Sequence, residues 1–201
     1  MVNERQLKGL PAPATWTDLM QPQWKNKFAI TDPSKSGTAY MLVYGLYKQF
    51  GQEGLDKIAA NAVITASSGT TYKGVAAGEY AAGLTLEYAA QEYVAGGQKE
   101  IKLVYPSEGS YLAPEGMFII KGAKNADAAR ALYDGLLSKE SQQAQLVNNF
   151  RRPTRTDIPV ASLTTLPDLK SIKIFPIDQD AAAKEYEAVV AAWNQAVSKA
   201  K

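Results

Sequence analysis

The 201-residue sequence contains no cysteine and no histidine. These absences exclude metal sites built on thiolate or imidazole ligands, and they exclude Cys–His and Ser–His nucleophile pairs. A metal ion would therefore need oxygen ligands from Asp, Glu or Tyr side chains. A lack of cysteine is compatible with export from the cell, although it does not by itself indicate export.

Long apolar runs, an excess of one charge and nucleotide-binding motifs are also missing. No stretch approaches the roughly 20 apolar residues that span a bilayer, and the N-terminus lacks the hydrophobic stretch of a signal peptide. The formal net charge is +2, which favours neither nucleic-acid binding nor an acidic tail. Glycine-rich nucleotide fingerprints are absent, and no spacing of acidic residues singles out a catalytic pair. We therefore expect no enzyme, no cofactor and no nucleic-acid partner.

Short apolar strands alternate with helical segments along the chain, which indicates an α/β fold. The predicted strands cover residues 28–31, 84–88, 101–105 and 117–120. The predicted helices cover residues 17–20, 39–50, 53–60, 72–77, 89–95, 126–137, 139–149 and 180–199. The last helix carries an apolar face that predicts packing, formed by Tyr186, Val189, Val190, Trp193 and Val197.

Two loops rich in hydroxyl groups stand immediately before predicted helices. They are formed by Ser36, Gly37 and Thr38, and by Ser67, Ser68, Gly69 and Thr70. A helix N-terminus presents unpaired N–H groups with a partial positive charge, and glycine lets a ligand approach closely. We therefore expect the two loops to share one face and to bind an oxyanion. The alternative is that their hydroxyls only cap the two helices.

A family resemblance is carried by the order of motifs along the chain. It begins with P-x-T-W-x-D-L at residues 13–19 and continues with K-F-A-I-T-D-P-S-K-S-G-T at residues 27–38. Further matching segments lie at residues 75–84, 104–110, 113–116, 120–125, 136–142 and 152–155. This series resembles the iron- and phosphate-ester-type periplasmic solute-binding proteins of ABC importers, which have the two-lobed type II binding-protein fold.

The resemblance implies a periplasmic protein, or one at the outer face of the membrane, that captures a small anionic solute for an ABC permease. It implies that residues 1–106 form the α/β second lobe, with a mixed sheet flanked by helices. Residues 107–201 would form a crossover segment, a strand and C-terminal helices that belong partly to an incomplete first lobe. We expect most of that first lobe and the leader to be absent here. Strand 117–120 would then expose an edge that pairs or swaps with a second copy.

The resemblance also implies a third ligand-binding segment, after Gly78-Glu79. Ferric-iron members carry two adjacent tyrosines there, whereas this chain has Glu87 and Tyr88. Glu87 and Tyr88 thus join the two loops as candidate ligand residues, and a phosphorylated or phosphonate solute is the expected ligand. Three alternatives remain: ferric iron as the ligand, ordinary strand positions for Glu87 and Tyr88, and a ligand-free lobe that acts only as a structural or interaction module.

Overall fold

The computed structural model describes residues 1–200. The chain divides into two compact units, each with its own buried core. The first unit contains Met1–Ala113 together with the chain from Ile172 onward, and the second contains Pro114–Ser171.

The elements alternate between short strands and helices. In chain order they are β1 (Val2–Asn3), α1 (Trp16–Leu19), β2 (Phe28–Thr31), α2 (Gly37–Asn61), β3 (Ala62–Thr65), α3 (Ser68–Ala77), β4 (Ala82–Gly83), α4 (Glu87–Ala95), β5 (Ile101–Lys102), β6 (Ser110–Tyr111), α5 (Ala126–Leu137), α6 (Lys139–Asn149), α7 (Val160–Leu163), β7 (Ile174–Phe175), α8 (Gln179–Lys184) and α9 (Tyr186–Ala200). Short 3-10 turns cover Glu4–Gln6, Pro22–Trp24 and Leu169–Ser171.

A mixed five-stranded sheet forms the centre of the first unit. Its strand order is β3-β2-β4-β1-β5, and β2 runs parallel to both β3 and β4. Strand β1 is antiparallel to β4 and β5. All four residues of β2 are buried, as expected for a short apolar strand in the middle of a sheet. The α/β class and the mixed sheet flanked by helices are therefore confirmed.

Helix α2 contains the break that the sequence predicts at Gly51. Gly51 has φ 64° and ψ −165°, a conformation outside the helical region that glycine adopts without a side-chain clash. The segments on either side remain helical, so 39–50 and 53–60 are two helical pieces joined at this residue.

The C-terminal helix packs on α2 inside the first unit. Val189 and Trp193 are buried in the same apolar core as Val43 of α2. Gln52 donates a hydrogen bond to the Ala192 carbonyl at 3.1 Å. The predicted packing face is confirmed, although the single predicted helix is two helices, α8 and α9, separated at Glu185.

Three predicted strands need correction. Residues 84–88 do not form a strand. The strand in this region, β4, ends at Gly83, and helix α4 begins at Glu87. Only Ile101–Lys102 of segment 101–105 is a strand. Residues 117–120 carry no strand, and no described strand pairs with them. Short apolar runs do not by themselves distinguish a strand from another extended segment, since pairing requires a neighbour elsewhere in the chain.

The second unit is built on helices α5, α6 and α7. Leu146, Ile158 and Leu166 form its buried residues. Ser138 caps α6 by accepting a hydrogen bond from the Ser141 N–H at 3.1 Å, as its position predicts. This unit also exposes a group of large apolar side chains: Met117, Phe118, Ile119, Ile120, Leu132, Leu136, Leu137 and Val147. In residues 1–200, no helix combines the length and the apolar character that a membrane span requires.

Candidate functional site

Three parallel strands end at the same edge of the sheet, and a helix begins after each of them. Strands β3, β2 and β4 are neighbours, and α3, α2 and α4 follow them in turn. In open α/β sheets, ligands bind outside the carboxyl ends of the strands, where helix N-termini face the ligand. The nine candidate residues occupy the cap or the first turn of these helices: Ser36, Gly37 and Thr38 at α2, Ser67, Ser68, Gly69 and Thr70 at α3, and Glu87 and Tyr88 at α4.

The α2 and α3 N-termini lie directly beside each other. The Ser36 Oγ and Ser68 Oγ atoms are 2.8 Å apart, which is a hydrogen bond across 32 residues of sequence. The structure therefore brings the two predicted loops together on one face. The partial positive charges of two helix N-termini reinforce one another at this point.

Both loops also cap their helices. The Ala39 N–H donates to Ser36 Oγ at 3.3 Å, and the Thr70 N–H donates to Ser67 Oγ at 3.1 Å. The capping alternative is thus confirmed for Ser36 and Ser67. Capping does not compete with ligand binding, because each cap satisfies one N–H and a helix leaves four without intrahelical partners.

The surface above these helix starts is open. A methyl group on Gly37 would meet no atom within 4 Å, and one on Gly69 would meet nothing closer than 3.7 Å. Thr70 is exposed, while Ser36 and Ser68 are half-buried. Gly37 and Gly69 therefore leave room for a small group beside both helix starts.

The third helix start differs from the other two. Glu87 is the first residue of α4 and half-buried, and its Oε1 accepts a hydrogen bond from the Tyr105 hydroxyl at 2.5 Å. Placing Glu87 and Tyr88 on strand positions is therefore wrong, since both lie in the first helical turn. Just before this turn, the Thr85 Oγ1 atom is buried and has no hydrogen-bond partner among the described residues.

A cluster of buried threonines lies beneath the two serine loops. Thr31 ends β2, Thr65 ends β3, and Thr71 follows the first turn of α3. Sequence reasoning did not select Thr31 or Thr65. The available signal was that both parallel strands end in a threonine directly before a hydroxyl-rich loop.

Glu108 occupies a different place from the helix starts described above. Its Oε2 accepts hydrogen bonds from the Trp16 N–H at 2.7 Å and the Thr17 N–H at 3.1 Å, and its Oε1 accepts from the Thr17 hydroxyl. Glu108 therefore satisfies the N-terminus of α1 and holds it to the segment that precedes β6.

The acidic residues do not assemble a metal centre in the described part of the chain. No group of three or more Asp and Glu side chains is placed to hold a metal ion in residues 1–200. An oxyanion is the ligand class that the paired helix N-termini suit.

The chain resembles known proteins over most of its length. Residues 1–185 match the model of a family described as bacterial extracellular solute-binding protein. An uncharacterised protein of Haemophilus influenzae is 28% identical over 198 residues, which cover 94% of this chain and 56% of the relative. A Salmonella typhimurium protein named "Putative 2-aminoethylphosphonate-binding periplasmic protein" is 28% identical over 203 residues, which cover 92% of this chain and 58% of the relative.

A solved structure resembles the chain closely. The periplasmic binding protein AfuA of Actinobacillus pleuropneumoniae, with fructose 6-phosphate bound, matches with a TM-score of 0.87 and 27% identity. That match covers 98% of this chain and 65% of AfuA. The chain thus spans a little over half the length of the curated relatives it matches. Since the family model covers most of the sequence, the chain belongs to the bacterial extracellular solute-binding protein family.

Proposed function

We propose that the chain is the substrate-binding component, in part, of an ABC importer, and that it binds a small oxyanion without catalysing a reaction. It acts in the periplasm or at the outer face of the membrane. Family membership supports solute capture. The observation that carries the proposal is the 2.8 Å contact between Ser36 and Ser68, because it joins two helix N-termini into one anion-binding face.

The binding mechanism is non-covalent. N–H groups at Gly37, Thr38, Ser68 and Gly69 donate hydrogen bonds to the oxygens of the anion. The Ser36, Ser68 and Thr70 hydroxyls turn from their present partners toward it. Hydrogen bonds to a charged acceptor contribute about 1.5–3 kcal/mol each. Several such bonds at two helix starts are enough for specific capture of a phosphate or phosphonate group.

Glu87 gives the site a second chemical feature. Its carboxylate lies at the start of α4, and the Tyr105 hydroxyl holds one of its oxygens. A carboxylate at the same edge of the sheet as the two serine loops suits a solute that carries a hydroxyl or ammonium group as well as its phosphate or phosphonate. A sugar phosphate and an aminophosphonate both have this combination, and relatives are described as binding these classes.

We further propose that residues 1–106 correspond to the second lobe of a two-lobed binding protein, and that residues 107–201 form a crossover segment and C-terminal helices that belong only partly to the first lobe, since α9 packs on α2. Closure of the lobes in the complete protein would present the solute to the permease. Segment 117–120, which exposes Phe118 and Ile120 strongly, is proposed to associate with a second copy of this chain.

Ferric-ion binding is the second candidate, because Glu87, Tyr88 and Tyr105 bring oxygen donors to one helix start. Oxygen donors suit a hard cation. The two candidates differ in their requirement for the serine loops, which only the anion needs.

Isothermal titration of the chain with fructose 6-phosphate, 2-aminoethylphosphonate and inorganic phosphate tests the proposal. Fructose, which lacks the phosphate, is the matched control ligand. Saturable heat at one site with an anion and none with fructose supports anion capture. No heat with any of the three anions contradicts it and leaves the structural or interaction module.

A pair of variants separates ligand binding from helix capping. Ser36→Ala with Thr70→Ala removes hydroxyls from the anion-binding face, and we expect it to weaken binding about tenfold or more. Ser138→Ala removes an equivalent cap from α6 in the second unit and should leave binding unchanged. Equal weakening by both variants would contradict a ligand role for Ser36 and Thr70.

A further inference from the structure

Three threonine hydroxyls from three different elements meet under the paired serine loops. The Oγ1 atoms of Thr31 and Thr71 are 2.8 Å apart, those of Thr65 and Thr71 are 2.6 Å apart, and those of Thr31 and Thr65 are 3.2 Å apart. Thr31 is 2% exposed, Thr65 is 6% exposed and Thr71 is 0% exposed. Each hydroxyl has only one proton to donate, so the order of donors in this cluster is constrained.

The protons of the cluster run toward the start of α3. The Thr65 hydroxyl donates to the Ser67 carbonyl at 3.2 Å, and that carbonyl can only accept. Thr65 then accepts from either Thr71 or Thr31, and the other of these two hydroxyls donates to the one that donates to Thr65. Two of the three contacts between the hydroxyls are therefore hydrogen bonds in any one arrangement. In either order, all three protons are used, and the end of the series is the backbone of the residue that caps α3.

The cluster connects the two loops through a series of hydrogen bonds. Thr31 is in β2, directly before the loop that leads to Ser36, and the cluster bonds it to Thr65 and Thr71. The Ser67 backbone, held by Thr65, positions Ser68, and Ser68 bonds to Ser36. We therefore expect a change in the cluster to alter the separation of the two helix N-termini.

Thr71 has a second contact that ties in the third strand. A methyl group added to Gly83 of β4 would lie 3.1 Å from the Thr71 Cγ2 atom. Thr71 thus directs its hydroxyl to β2 and β3 and its methyl group to β4. The two parts of one side chain can be removed separately by substitution.

We propose that the Thr31–Thr65–Thr71 hydroxyl cluster is the positioning element of the anion-binding face, and that it sets ligand affinity without touching the ligand. The part of this inference that concerns ligand affinity rests on the proposed function. Buried hydroxyls that are fully hydrogen-bonded favour one arrangement of the surrounding backbone. The cluster holds the two helix starts in the arrangement that lets both donate to one anion.

Two substitutions of Thr71 test the proposal. Thr71→Val keeps the shape and removes the hydroxyl, while Thr71→Ser keeps the hydroxyl and removes the methyl group. With fructose 6-phosphate as the probe, we expect Thr71→Val to raise Kd about fivefold to tenfold, as the loss of a positioning hydrogen bond implies. Thr71→Ser should stay within about twofold of the unsubstituted chain. The opposite ranking would show that packing alone matters and would overturn the proposal.

A second arm needs no ligand. Amide hydrogen exchange is measured at the Thr70 and Ala39 N–H groups, which the two serine caps hold, and at the Val189 N–H in α9 as a control for overall stability. We expect faster exchange at Thr70 and Ala39 in Thr71→Val, unchanged exchange in Thr71→Ser, and equal exchange at Val189 in both. Unchanged exchange at Thr70 and Ala39 in Thr71→Val overturns the positioning role. Faster exchange there without anion binding by the unsubstituted chain rejects the proposed function and leaves the positioning of the two loops supported.

Discussion

Tyr40→Phe should lower the free energy of unfolding at neutral pH and raise it, relative to the unsubstituted chain, at strongly alkaline pH. The Tyr40 side chain is 6% exposed, its hydroxyl donates to the Ala182 carbonyl, and its ring packs against Tyr186 at a centroid distance of 4.7 Å. Burial raises the pKa of Tyr40 to about 12, and the nearby Tyr44 and Glu185 add to the shift. The folded protein therefore holds the Tyr40 proton more tightly than the unfolded chain does.

The sign of the pH effect follows from this difference. Between about pH 10 and 12 the unfolded chain loses the Tyr40 proton first, so the free energy of unfolding falls as the pH rises. Two pKa units correspond to an upper limit of about 2.7 kcal/mol, of which about 1.4 kcal/mol is lost by pH 11, before any reduction by solvent screening. Stability from this group is complete below pH 10.

At neutral pH, where Tyr40 is not ionised, Tyr40→Phe lowers the free energy of unfolding. Tyr40→Phe removes the hydrogen bond to Ala182, which costs about 0.5–1.5 kcal/mol. Because the variant has no phenol to ionise at this position, it does not lose the part of the free energy of unfolding that Tyr40 ionisation removes at high pH. The two stability curves should cross between about pH 10 and 11, where the loss from Tyr40 ionisation equals the cost of the missing hydrogen bond.

Urea unfolding at a series of pH values from neutral to strongly alkaline measures this crossing. Tyr93 and Tyr111 also have raised pKa values, and because neither contributes to the Tyr40 shift, they destabilise both proteins alike. The difference between the two curves therefore isolates Tyr40. A constant difference across the whole range would refute the reasoning.

Three further predictions address packing, metal binding and assembly. Gly83→Ala places a methyl group 2.7 Å from the Val75 Cγ2 atom and should lower the free energy of unfolding by about 1–3 kcal/mol. The control Gly69→Ala should not lower it. Equal shifts of the thermal melting temperature in the two variants would contradict this prediction. Adding ferric citrate to the chain should produce no strong visible absorption band. A new band that disappears in Tyr88→Phe would show that the chain binds ferric iron. Light scattering should detect a dimer that Ile119→Lys reduces, and a constant 21.7 kDa mass would reject self-association.

Local signals in the sequence predicted a large part of the fold. Strand β2, helix α6, the helical break at Gly51 and the caps at Ser36 and Ser138 are each specified by residues close to the element itself. Such features depend on backbone preferences and on hydrogen bonds within a few residues. The two hydroxyl-rich helix starts also led to the expectation that the Ser36 and Ser68 loops share one face, and the structure brings them together. Strand β3, which places the second loop beside the first, was not predicted.

The remaining features depend on contacts that are distant in sequence. Strand β4 is only Ala82–Gly83, and its position is set by pairing with β2 and by close packing under Val75, which leaves no room for a side chain at Gly83. The sequence predicted a strand over residues 84–88 instead, and this prediction placed Glu87 outside α4. The threonine cluster joins residues up to 40 positions apart, so the threonines that end β2 and β3 do not by themselves show that their hydroxyls meet.

The most direct test of the anion-binding face is a titration of the isotopically labelled chain with inorganic phosphate, followed by amide chemical shifts. The account predicts that the Gly37, Thr38, Ser68 and Gly69 amides shift together and saturate with one dissociation constant. Sodium chloride at the same ionic strength is the control, and it should leave these amides in place. Shifts confined to other parts of the chain, or no saturable shift at these four amides, would contradict the account.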